Sequence, residues 1–328
     1  DQDITANQLT ASTATMTAGQ NITATAINAG DTVTMKAAKD LTATTVDGVN
    51  DIELTATNGS MTLQQVKATS GDITAQAGID ISADTLTAVD IGLIAGQNIT
   101  VNNLVATGSA TMNADQDITA NQLTASTATM TAENITATAI NAGDTVTMKA
   151  GNNLTATTVD AVNDIDLMAT SGNMTLEKVK ATSGKIAAKA GTDLSAGTLT
   201  AAGNIGLTAG NDILVNQIQS TAGDLNLTAN RSITNANLNG DINVVGNNLT
   251  LTAHNGSIGA ADKRLVLAVP GNVEAYAAND INLEARVGDL NATNLISQQG
   301  GIQLRVVDGS ANIDQASASR GAVIIDAK

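Results

Sequence analysis

One short phrase recurs along the whole chain: Asp or Asn, then an aliphatic residue, then alternation with Thr and Ala. It reads NITATAI at 21–27, DLTATTV at 40–46, DIELTAT at 51–57, NIGLTAG at 204–210 and DLNLTAN at 224–230. The aliphatic residue after the acid or amide marks a series: Ile22, Leu41, Met61, Ile81, Ile99, Ile118, Ile135, Leu154, Met174, Leu194, Ile213 and Ile233, in steps of 17 to 20 residues. A second series, Val33, Ile52, Ile73 and Ile91, falls roughly midway between these. Each unit of about 19 residues therefore holds two strand phrases separated by Gly, Asn and Asp.

Strict alternation over four to seven residues is the pattern of a strand with one buried face. In the phrase DIELTA, Ile52, Leu54 and Ala56 point one way, while Glu53 and Thr55 point the other. Thr and Ile favour extended backbone, and the AGD, AGN, NGS and SGD triplets are turn material because Gly and Asn accept positive φ. No helical period competes. A unit this short cannot bury its apolar face alone and must stack on its neighbours. The expected fold is all-β: a right-handed parallel β-helix, or solenoid, with about 19–20 residues per coil and roughly 16–17 coils. At about 4.8 Å per coil this is a rod on the order of 80 Å long.

Composition fits a narrow interior. The chain has 328 residues with no Phe, Trp or Cys and one each of Tyr, Pro and His. Aromatic rings normally supply much of a compact core, so their absence implies a thin core of Ala, Val, Ile, Leu and Met.

A larger repeat encloses the smaller one. The first eighteen residues, DQDITANQLTASTATMTA, return unchanged at 115–132, and 1–105 match 115–219 with an offset that drifts between 113 and 114. Gly19-Gln20-Asn21 becomes Glu133-Asn134, and Val89-Asp90 becomes Ala202-Gly203-Asn204, slips that belong at turns. Within the opening block Ile4 and Leu9 are expected inward, with Asp3 and Asn7 near its turns. The expected organisation is a regular shaft over 1–239 containing the tandem blocks 1–114 and 115–228, and a continuation of the same β-helix over 240–328. The continuation is more divergent: all five arginines follow residue 230. Opening in mid-repeat, the chain reads as an excerpt of a longer protein.

The net charge of −16 opposes binding to nucleic acid and to anionic lipid. No apolar run reaches the roughly 18 residues of a membrane span. Lack of Cys excludes a disulfide framework and thiolate metal sites. A β-helical polysaccharide lyase would need acids and bases converging in a cleft built by long loops. The acids instead stand one per turn, as at Asp3, Asp40, Asp51, Asp72 and Asp117, where Asp caps its own backbone, and no unit shows a long insertion. The single imidazole, His254, lies in a turn phrase, which removes Ser/His/Asp catalysis. No cofactor or metal is implied; the Gly-rich calcium nonapeptide is absent, and calcium at DQD or DID would be weak and superficial. Thr-x-Thr pairs suggest an ice-binding face, but they occur on both strand phrases and skip coils, so the rank is interrupted. The repeated Asn-x-Ser/Thr triplets read as stacked Asn turns followed by an outward Thr. No catalytic residue emerges. The best local candidate for a partner contact is a basic column of Arg264, Arg286 and Arg305, near Tyr276 and His254.

The coils AGNDILVNQIQSTAGDLNLTA at 209–229 and AGDTVTMKAGNNLTATTV at 142–159 resemble the haemagglutinin repeats of filamentous haemagglutinin-type exoproteins, the large two-partner-secretion proteins of Gram-negative bacteria. The resemblance covers essentially the whole chain. It implies a non-enzymatic, extracellular β-helical shaft segment of an adhesin, serving cell adhesion, biofilm matrix or contact-dependent interaction. An outer-membrane secretion partner follows from it, as does contact with a host-cell, bacterial-cell or polysaccharide surface, or lateral self-association. The family's amino-terminal secretion motifs and carboxy-terminal modules do not appear in these residues, so no family site residue transfers. Two alternatives remain: a β-helical polysaccharide-binding or polysaccharide-lyase module, and a Thr-rich ice-binding β-helix.

Overall fold

The computed structural model describes residues 2–237 and 239–327. It is an all-β solenoid of parallel strands with about 17 turns of about 19 residues. Two compact units, Asp1–Gly151 and Asn152–Lys328, divide the chain.

In the first unit each coil contributes one long and one short strand, for example Ile22–Ala29 and Val33–Ala37. Equivalent residues pair coil upon coil. Ile22 stands over Ile4 and under Leu41, followed by Met61, Ile81, Ile99, Ile118 and Ile135. The short strands stack likewise through Ala14, Val33, Ile52, Ile73, Ile91, Ala110, Ala128 and Val146. The aliphatic residue after each Asp or Asn is thus the first inward residue of a strand, and both marker series become buried columns.

Alternation in the long strand breaks once. The pattern over Ile22–Ala29 is buried, exposed, buried, exposed, half-buried, buried, exposed, buried, so Thr25 and Ala26 both turn outward. Two successive outward residues put a corner in the strand, and the coil gains three inward-facing segments: Ile22 with Ala24, Ile27 with Ala29, and Val33, Met35 and Ala37. Seven side chains fill one level of the interior, none larger than Met. Among the described residues the buried apolar core is Ala, Val, Ile, Leu and Met throughout, which accounts for the missing rings. Asn7 occupies the corner position of its strand and is exposed, not near a turn as expected; Ile4 and Leu9, on the first coil, are half-buried.

The turn glycines serve a purpose different from the one expected. Among the described residues no non-glycine has positive φ, and only Gly240, Gly259, Gly288 and Gly309 do among glycines. The other turns have ordinary backbone. At many of them glycine is needed because neighbouring coils approach closely: a Cβ on Gly96 would run into the carbonyl of Gly78, and one on Gly210 into that of Gly191. Coil length varies at these turns, as the drifting offset implies: Gly19-Gln20 and Glu133 both lie between strands.

The second unit begins with the same grammar. Leu154, Met174, Leu194, Ile213 and Ile233 form one inward column, continued by Ile258, Ile281 and Ile302; Val323 pairs next to Ile302 but is exposed. After Ile233 two coils are expanded. One long strand is split into Ile233–Asn235 and Val244–Val245, with 236–237 and 239–243 outside any strand and forming the first loop, and the next coil inserts 259–264 before Leu265–Ala268. These insertions correct the expectation that no unit carries one. Beyond them strand lengths exchange between the stacks: Ile281–Ala285 and Ile302–Val306 are short where long strands stood, and Leu290–Ser297 is long in the other stack. The exchange is accommodated by a register shift between Val273 and Glu274.

Candidate functional site

Many of the Asp residues that precede strands act structurally, and they cap the next coil, not their own backbone as expected. The carboxylate of Asp72 accepts the N–H of Asp90 at 3.0 Å, and that of Asp90 accepts the N–H of Ser109 at 2.5 Å and its hydroxyl at 2.9 Å. In the second unit the chain of caps runs Asn204 to Asp224 to Asn248 to Asn272, with bonds of 2.9, 3.2 and 2.9 Å. Parallel stacking explains this. The Asp before a strand lies directly beneath the same position of the following coil, whose turn N–H lacks a ladder partner. Ser109 holds the Asp90 carboxyl below the usual carboxylate range, first through its N–H and then its hydroxyl.

Outward positions of the long strands form a rank that is more continuous than expected. Thr5, Thr23, Thr42, Thr62, Ser82, Thr100, Thr119 and Thr136 stand in register. The paired Thr-x-Thr pattern is nonetheless broken, because the position two residues on holds Asn7, Gln64, Asp84, Asn102 and Asn121 in five of these coils. Asp84, Asn102 and Asn121 bond to one another from coil to coil.

The two insertions of the second unit create a different environment. Asn243 is fully buried and anchors the first loop: its amide donates to the carbonyls of Val215 and Asn216 and to Asn235 Oδ1, and its own oxygen accepts from Val266 N. Asn235 Nδ2 in turn donates to the Arg264 carbonyl at 2.8 Å, tying the first loop to the second. Together the loops roof the outer face of the strand Ile281–Ala285, where all five residues are buried. Glu284, whose position alternates outward, is left only 6% exposed.

A buried carboxylate requires counter-charges, and two arginines provide them. Arg286 donates to Oε1 from Nη2 at 2.6 Å and from Nε at 3.2 Å. Arg305, directly opposite Glu284 in the strand ladder, donates to Oε2 at 3.2 Å. Arg286 Nη1 also donates to the carbonyl of Gly240 in the first loop. Arg264 is left with Gln303 Oε1 at 3.3 Å, and its Nε is buried without a partner. Glu284 and the three arginines line an open groove of about 360 Å³ together with Asn235, Asn237, Gly240, Asp262, Lys263 and Val266.

The structure therefore brings together Arg264, Arg286 and Arg305. Tyr276 and His254 stand on the other strand stack: Tyr276 pairs with Thr252 and Ile296, and its hydroxyl meets Gln298 Nε2, while His254 is exposed in the turn after Leu249–Ala253. Glu284, Lys263 and the amides of the first loop were not singled out from sequence. The available signal was spacing: Ile258 pairs directly above Ile233, and the cap between Asn230 and Asn255 spans 25 residues.

Arg231 by contrast is spent on the surface, with Nη2 at 2.6 Å from Asp212 Oδ2. No three His or acidic side chains converge as metal ligands among the described residues. No helix there is long and apolar enough to cross a membrane. The chain matches no family model, no curated protein and no solved structure.

Proposed function

We propose that this chain is a non-catalytic structural shaft segment of a secreted or cell-surface bacterial adhesin, of the filamentous haemagglutinin type that its repeats resemble. It acts outside the cell, at a host-cell, bacterial-cell or polysaccharide surface, after export with an outer-membrane partner. The observation that carries this reading is the interchangeability of coils. The same inward columns and the same caps recur through each unit, and the eighteen-residue opening block occurs twice, so any surface it offers is offered twice. A lyase is disfavoured by the surroundings of its best acid: both oxygens of Glu284 are held by arginines, and the side chain is buried. An ice-binding face is disfavoured by the broken second Thr rank.

Beads coated with the purified chain should adhere to cells or polysaccharide films, while acidic polysaccharides incubated with the chain keep their length. Cleavage of a polysaccharide that disappears on substituting one acidic residue would overturn the shaft reading.

A further inference from the structure

We propose that the groove between the first loop and the insertion 259–264 binds a small oxyanion, a carboxylate, sulfate or phosphate group, carried on a sugar-sized polar molecule. This inference stands whether or not the coils serve as a shaft. It begins from a local imbalance of charge. The groove lining holds four cations, Lys263, Arg264, Arg286 and Arg305, against two carboxylates, Asp262 and Glu284. A surplus of two positive charges thus sits on a chain whose net charge is −16.

Glu284 is fully engaged by Arg286 and Arg305. Among the described residues neither Arg264 nor Lys263 has a carboxylate within 4.0 Å, and the exposed Asp262 does not fold back onto them. Arg264 reaches one neutral acceptor at 3.3 Å and keeps a buried Nε–H without any. A half-buried guanidinium short of acceptors is stabilised by an anion, and a planar fork suits two oxygens of one oxyanion.

The lining also limits what carries the anion. Among the described residues Val266 is the only aliphatic side chain in it; the rest is amide, peptide and charge, which suits hydroxyl groups better than an apolar body. The volume of about 360 Å³ lies at the low end for small-molecule sites. A long polyanion would meet the acidic remainder of the chain, whereas a single anionic residue would not.

Calorimetric titration of the full chain with galacturonate, inorganic phosphate and neutral galactose tests the assignment. Galacturonate should bind saturably and more weakly as salt rises. Arg264→Gln should weaken it at least about tenfold, the effect expected for a lost charge-assisted hydrogen bond. Lys263→Gln, a loop substitution that leaves the buried contacts in place, should weaken it to a lesser degree and decides the matter if Arg264→Gln does not fold. Arg231→Gln should leave it unchanged. Phosphate binding with the same sensitivity to Arg264→Gln supports the oxyanion and assigns the site to free anions. The proposal is overturned if neither oxyanion binds, if galactose binds as well as galacturonate, or if binding survives both groove substitutions.

Discussion

Asp90 shows what a single side chain does in a parallel stack. Its carboxylate reaches across one coil to both donors of Ser109, and the same reach by Asp72, Asn204 and Asp224 ties coil to coil along the turns. Each such bond contributes about 0.5–1.5 kcal/mol net in general, and the repetition gives it weight. Because the folded Asp90 titrates below its ordinary value of 3.8, its contribution is fully present above that value. It is lost as pH falls through the lower, folded pKa. Carboxyl NMR titration should find Asp90 below an unfolded-chain Asp. Ser109→Ala should raise it part of the way, since the larger backbone contribution remains. An unchanged midpoint in Ser109→Ala would show that the hydroxyl plays no part.

At the scale of strands and turns, glycine separates two roles. Gly92 sits within the strand Ile91–Ala95 with open space beyond it, whereas Gly96, at the following turn, lies against the Gly78 carbonyl. Gly92→Ala should therefore be neutral or slightly stabilising, because alanine restricts the unfolded chain and strands disfavour glycine. Gly96→Ala should cost about 1–3 kcal/mol through forced separation of coils. Thermal melts of the two variants compare them directly, and equal melting temperatures would contradict the close-approach account. The elements themselves were legible in the sequence because Ile22, Val33 and their equivalents are at once first in strand and inward, so spacing and burial report the same residues. The corner at Thr25 and Ala26 was not, since two outward residues in succession look like the end of a strand. Nor was the site, apart from its arginines. Burial of Glu284 depends on a roof that includes Gly240, 46 residues before Arg286, and alternation along a single strand carries no trace of it.

For the whole molecule, the proposed function rests on repetition in most of the chain and on its interruption in one place. Regular coils bury thin columns of Ala and aliphatic residues, and each aliphatic side chain contributes about 1.5–3 kcal/mol only when a neighbouring coil covers it. Any coil can follow any other provided the columns continue. The two expanded coils after Ile233 give up that uniformity and gather Arg264, Arg286 and Arg305 around Glu284. A shaft with one differentiated groove is the account that covers both features. Removal of residues 1–114 tests it most directly, because the shortened chain then begins with the same eighteen residues as the original. The account predicts a cooperative thermal transition, unchanged far-ultraviolet ellipticity per residue, and anion binding equal to that of the full chain. Loss of the β-sheet spectrum on removing that block would contradict interchangeable coils, and with them the proposed shaft.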